Sequence, residues 1–130
     1  MGTSLKLPAR LRIKSRKQIE LLFGNAHSLF SHPFLLKYVI EKLPDPQLAA
    51  PQFAVAVPKK AFRKAHDRNL IKRRTREAYR LNWKNYFPET SSKHLIVLFI
   101  MVGKQIPEYA EIEKALRLLL KKLAKAGQEG

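Results

Sequence analysis

The side chains of this chain with the most capacity for chemistry are cations, and they are concentrated in one stretch. It reads Lys59-Lys60-Ala61-Phe62-Arg63-Lys64-Ala65-His66-Asp67-Arg68-Asn69-Leu70-Ile71-Lys72-Arg73-Arg74-Thr75-Arg76-Glu77-Ala78-Tyr79-Arg80. Over the whole chain 26 Lys and Arg stand against 10 Asp and Glu, a formal net charge of +16. Such an excess opposes compaction through self-repulsion, so it points to a polyanionic partner, with nucleic acid first and an anionic membrane surface second. The longest apolar run, Leu95 to Val102, falls well short of the roughly 20 residues needed to span a bilayer, so no membrane association is expected.

Catalysis by the chain itself finds little support. Metal-assisted phosphodiester hydrolysis needs clustered carboxylates to hold its cations. Asp67 and Glu77 are instead embedded among cations, and Glu108, Glu111 and Glu113 read as the acidic first turns of a helix. His27, His32, His66 and His94 lack metal-ligand spacing, and there is no phosphate-cradling Gly-rich loop or nucleophile elbow. No catalytic residue and no metal site are predicted in the protein. Cys is absent, which removes disulfides and thiolate zinc sites.

The elements that must position the cations follow from spacing. No Gly or Pro interrupts the chain from about Asp67 to Tyr86, and Phe87-Pro88 closes that helix. At 100° per residue Leu70, Ile71, Ala78 and Leu81 share one arc, while Arg68, Asn69, Lys72, Arg73, Arg76 and Arg80 take the opposite one. A merely solvated helix would interleave charge signs at i,i+4, which this one does not. Arg outnumbers Lys between Arg68 and Arg80, which favours bidentate phosphate recognition over a diffuse field. Asn69 adds a neutral donor and acceptor; Asn69 or Asp67 could also cap the helix start, the role expected of Asp67. Trp83 and Tyr79 fall on the basic side near the helix end, where the C-terminal helix is expected to cover them.

Ser15 and Gln18 resemble a capping box, with Ile19, Leu22 and Phe23 on one stripe of a first helix that Gly24 stops. Phe34 to Ile40 alternates as a strand, with Phe34, Leu36, Tyr38 and Ile40 on one side and Lys37 and Glu41 on the other. Pro44, Asp45, Pro46 and Pro51 mark a loop before a second strand, Phe53 to Val57, and a hairpin is the simplest connection. Leu95 to Val102 is apolar on both faces, as suits the centre of a sheet. After Pro107, Ile112, Leu116, Leu119, Leu120 and Leu123 recur at helical spacing until Gly127. The order α, β, β, α, β, α predicts an α+β two-layer sandwich. At 130 residues, with 45% hydrophobic residues, one domain is expected, its core at about 10–123 and its ends flexible. Met1 to Lys6 has no apolar export signal, so a cytoplasmic protein is expected.

Arg68-Asn69-Leu70-Ile71-Lys72-Arg73-Arg74-Thr75-Arg76-Glu77 resembles the signature of the bacterial ribonuclease P protein family, an Arg-Asn pair followed by Lys-Arg and then Arg-Glu on one helix. The likeness extends to Ala9-Arg10-Leu11, to Leu36-Lys37-Tyr38, to Pro58-Lys59-Lys60 and to Phe99 through Lys104. It implies a fourth strand, a sheet like that of a small-subunit ribosomal protein domain, and a left-handed crossover around the basic helix. It further implies that Arg68, Asn69, Lys72, Arg73, Arg76 and Arg80, extended by Arg63 and Lys64, dock on a catalytic RNA. A cleft between the first helix and the sheet, involving Phe23, Lys37 and Tyr38, would hold the single-stranded 5′ leader of precursor tRNA. For Phe23 a place in the core is an equal alternative, and Tyr38, with its polar tip, is the better cleft candidate. Magnesium, in this resemblance, is bound mainly by RNA phosphates, and no obligate protein partner is expected. The competing readings are a small ribosomal or other structural RNA-binding protein, and a protein-only nuclease, which the missing carboxylate cluster disfavours.

Overall fold

The fold is that of a computed structural model that describes residues 20, 24, 27–48, 51–88 and 90–129. The expected first helix, and Phe23 with it, lies outside the described residues apart from Glu20, whose carbonyl accepts from the Gly24 N–H at 3.1 Å. Four strands, β1 (His27–Ser31), β2 (Phe34–Leu48), β3 (Gln52–Ala56) and β4 (Thr90–Met101), form one sheet in the order β1-β2-β4-β3. Among the described residues two long helices, α1 (Ala65–Asn82) and α2 (Tyr109–Glu129), form the second layer of the α+β sandwich, with a 3-10 turn at Trp83–Asn85 extending α1.

β4 is the organising strand. Its run Leu95 to Phe99 is buried on both faces, so it must be flanked on both edges, and it is: β2 pairs with it antiparallel and β3 parallel. This overturns the expected hairpin between the second and third strands, because β4 sits between them. The parallel β3–β4 pair instead requires the crossover that α1 supplies. The fourth strand is β1, joined to β2 through the His32-Pro33 turn, whose peptide bond is cis.

Two further boundaries differ from the sequence reading. Pro44, Asp45 and Pro46 lie within β2 rather than in a loop. There the pairing slips: Lys42 faces Lys93 and Gln47 faces Ser91, so β2 advances five residues while β4 advances two. Prolines are tolerated at such an irregularity because it leaves no ladder bond for them to donate. Gly127 does not stop the last helix, which continues to Glu129.

Both helices pack on one face of the sheet. Ile112, Ala115, Leu116, Leu119, Leu120 and Leu123 form the buried stripe of α2, none more than 2% exposed. Each large member of that stripe contributes about 1.5–3 kcal/mol through burial. They meet Phe34, Leu36 and Tyr38 of β2 and Val97, Phe99 and Met101 of β4. Aromatic rings lock the centre: Phe53 stacks on Tyr79 at 4.1 Å, and Phe99 meets Phe53 and Phe34 edge-on at 6.1 and 5.9 Å. The opposite sheet face carries Ile96, Leu98, Val39, Ala54, Ala56 and Ile100.

Candidate nucleic-acid interface

α1 forms because nothing in Ala65–Asn82 interrupts it, and its rotation on the sheet decides which cations face outward. Ile71, Thr75, Ala78, Tyr79 and Asn82 are the buried positions. This phase differs from the one read off the sequence: Leu81 is 53% exposed and Leu70 half-buried, whereas Tyr79 is fully buried. Tyr79 stacks on Phe53 of β3 and donates its hydroxyl to the Pro51 carbonyl at 2.5 Å, within the same buried cluster as the leucines of α2. Burial pushes its phenol well above the usual tyrosine range, so the hydroxyl remains a donor.

Two polar residues sit on the buried side without penalty because each bonds back along the helix. Thr75 Oγ1 donates to the Ile71 carbonyl at 2.8 Å, and Asn82 Nδ2 to the Ala78 carbonyl at 2.7 Å. Asn82 also donates to Glu113 Oε2 at 3.0 Å and accepts from Arg117 Nε at 3.1 Å. Tyr109 completes this bridge to α2 with a contact to Glu113 at 3.4 Å; burial first, then the Glu113 carboxylate, raises its phenol above the usual range. Arg74 donates to the Pro107 carbonyl at 2.7 Å and so ties α1 to the turn before α2. Arg74, Asn82 and Arg117 were missed as positioning residues in the sequence, where nothing separates them from solvated neighbours.

The predicted RNA-binding residues divide into three groups. Asn69, Arg73 and Arg76 are exposed on one face of α1, at i, i+4 and i+7, and Arg63 and Lys64 are exposed just before it. Arg68, Lys72 and Arg80 are half-buried. Arg68 turns back rather than outward: its Nη1 donates to the carbonyls of Phe62 at 2.8 Å and Arg63 at 2.9 Å. Phe62 is itself sunk in the core, and its N–H bonds the Pro58 carbonyl at 3.1 Å. Arg68 thus fixes the loop that presents Arg63 and Lys64. Arg80 pairs with Glu77 one turn away, so part of its charge is neutralised within the helix.

The helix start also differs from expectation. Lys64 is the N-cap, in an extended conformation and without a side-chain cap bond, so neither Asp67 nor Asn69 caps. Asp67 lies in the first turn, where its carboxylate meets the positive end of the helix dipole.

Lys37 and Tyr38 cannot share one cleft from the sheet. Successive strand residues point to opposite faces, and Tyr38 faces the helices, 8% exposed, with its ring 5.2 Å from that of His27. Tyr38 is therefore a core residue rather than an open platform, while half-buried Lys37 lies on the other face, in register with Leu98.

Among the described residues the ion pairs are Arg80–Glu77 and Arg117–Glu113. Arg63, Lys64, Arg73 and Arg76 form none there, so their charge is available to an external anion. No three His, Asp or Glu among the described residues stand close enough to hold a metal ion, and no helix among them is long and apolar enough to cross a membrane. The arrangement can bind phosphates and orient a polynucleotide.

Known proteins resemble this chain in sequence and in fold. Residues 7–124 match the family model described as Ribonuclease P. Two curated relatives from strains of Porphyromonas gingivalis, each called ribonuclease P protein component, are 30% identical over 116 residues, covering 87% of this chain and 82% of the relative. The solved RNase P protein of Thermotoga maritima superposes with a TM-score of 0.65 at 24% identity, covering 85% of this chain and 96% of that one. That of Staphylococcus aureus gives 0.65 at 22% identity, covering 87% and 94%. At these identities the two structures speak for the fold.

Proposed function

Since the chain belongs to the ribonuclease P protein family, we propose that the outward face of α1, with the loop before it, is the surface that docks on the catalytic RNA. The protein is a subunit of ribonuclease P in tRNA 5′ processing, and its partner is the ribonuclease P RNA. The observation that carries the docking surface is the set Asn69, Arg73 and Arg76, exposed on one helical face beside Arg63 and Lys64. Guanidinium forks suit paired phosphate oxygens, and each phosphate neutralised releases counterions, which drives association. Asn69 supplies a neutral contact to a base edge or a ribose hydroxyl. Lys72, half-buried at the border of this face, extends it.

In this reading the chain also holds the unpaired 5′ leader of precursor tRNA, on the sheet face that carries Lys37. Bond cleavage belongs to the RNA, in the cytoplasm, with magnesium bound among RNA phosphates. In support of this, Glu77 is paired with Arg80 and Glu113 with Arg117 and Asn82, and no three His, Asp or Glu among the described residues stand together. The protein's own contribution is charge neutralisation and substrate alignment.

The test is reconstitution with a cognate catalytic RNA and a precursor carrying a 5′ extension. Protein alone is expected to leave the precursor intact, and its addition to the RNA to lower the magnesium requirement and tighten precursor binding. Cleavage at the same site by RNA-free protein, or no change on adding it, overturns the reading.

A further inference from the structure

Among the described residues one large aromatic side chain stands out in solvent: Phe30, 54% exposed on the edge strand β1. Its register places it on a specific surface. Phe30 faces Leu35, Leu35 faces Ile100 and Ile100 faces Ala56, so the four form one row across β1, β2, β4 and β3. Directly paired residues project from the same side of a sheet, here the side opposite α1 and α2, which carries Ile96 and Leu98. The next row along is Ser28, Lys37, Leu98 and Ala54.

This row lies at the sheet end where cations gather. β1 ends and β2 begins there, at the Ser31 and Phe34 pair, and Phe34 faces Met101 at the end of β4. β3, running parallel to β4, ends beside it. The chain beyond β4 is pinned to the same turn, the Val102 N–H donating to the Pro33 carbonyl at 2.9 Å. The segments that leave this end carry Lys59, Lys60, Arg63 and Lys64 after β3 and Lys104 after β4, all exposed. The row spans three strand spacings, roughly 15 Å, from the Phe30 ring to the strand that leads into the lysines.

We propose that Phe30 is a stacking platform for one unpaired base of the precursor leader, whose phosphates run on toward Lys59 and Lys60; this rests on the leader-binding reading above. An open ring on a sheet face suits a splayed base, because stacking tolerates any base, whereas the bases of a duplex are already stacked and out of reach. Charge selects the occupant: a second copy of this chain, at net charge +16, is repelled by the surrounding cations, and a single-stranded polyanion is attracted.

The test compares reconstituted holoenzyme carrying wild-type, Phe30→Ala or Phe30→Trp protein, using two precursors, one with an eight-nucleotide unpaired leader and one trimmed to a single nucleotide. Phe30→Ala is expected to weaken binding of the long-leader precursor by at least about fivefold, the lower bound for losing one base–aromatic stack. It should leave the short-leader precursor unchanged, and Phe30→Trp should restore affinity. Equal affinities of wild type and Phe30→Ala for the long leader overturn the Phe30 assignment alone, provided wild type still favours the long leader. If wild type shows no leader preference, the leader-binding reading falls and this proposal with it. Self-association of the RNA-free protein that Phe30→Ala abolishes, seen by sedimentation, would assign the ring to a protein interface instead.

Discussion

Replacing Arg73 and Arg76 together by Ala tests the docking surface most directly, since both guanidinium groups are exposed and form no ion pair among the described residues. Their removal should leave the fold untouched, because neither side chain contributes to the buried face of α1. Each phosphate contact contributes about 0.7–0.9 to the slope of log affinity against log salt. Losing two flattens the slope by about 1.4–1.8, so over a fourfold rise in salt the gap between wild type and variant narrows by roughly tenfold. The assay is equilibrium binding of the catalytic RNA between low and moderate monovalent salt, with thermal melting as the control for folding. A variant that binds less tightly yet keeps the wild-type slope would refute the argument, because its loss would then not come from phosphate contacts.

Other outcomes follow from the same structure. Arg68→Ala removes two bonds to the Phe62 and Arg63 carbonyls and should cost about 1 kcal/mol in chemical denaturation, after allowing for partial exposure. If Arg68 instead acts as a surface phosphate ligand alone, stability will not move. Tyr79→Phe leaves the Pro51 carbonyl buried without its hydroxyl partner and should destabilise by about 1–3 kcal/mol while the stack on Phe53 and RNA affinity persist; equal stability would mean that water replaces the hydroxyl.

How far the sequence could be read depended on whether polarity and burial agreed. The central strand was legible because Leu95 to Phe99 has no polar residue to confuse it, and α2 because its leucines keep helical spacing. The phase of α1 was misread because Thr75 and Asn82 break the apolar stripe while being buried, their polar groups satisfied by carbonyls one turn back. Exposed Leu81 and half-buried Leu70 then pulled the expected face the wrong way. β1 left almost no trace, since within His27–Ser31 only Leu29 packs against the core. The β2–β3 hairpin was expected from adjacency in sequence, which says nothing about a later strand inserting between them. At the site, the basic segment itself was plain in the sequence, but which of its arginines turn inward was not, because Arg68 and Arg73 differ only in rotation about the helix axis.

The clasp that Arg68 makes around the loop carbonyls has an entropic consequence. A hinge of lysines and arginines left floppy would have to be frozen when it met the polynucleotide, and that ordering would be subtracted from affinity. Here one guanidinium completes the ordering while the chain folds, so Arg63 and Lys64 reach their partner already in formation. Loosening the clasp should then show itself as weaker binding with a larger unfavourable entropy, even where every outward charge is retained.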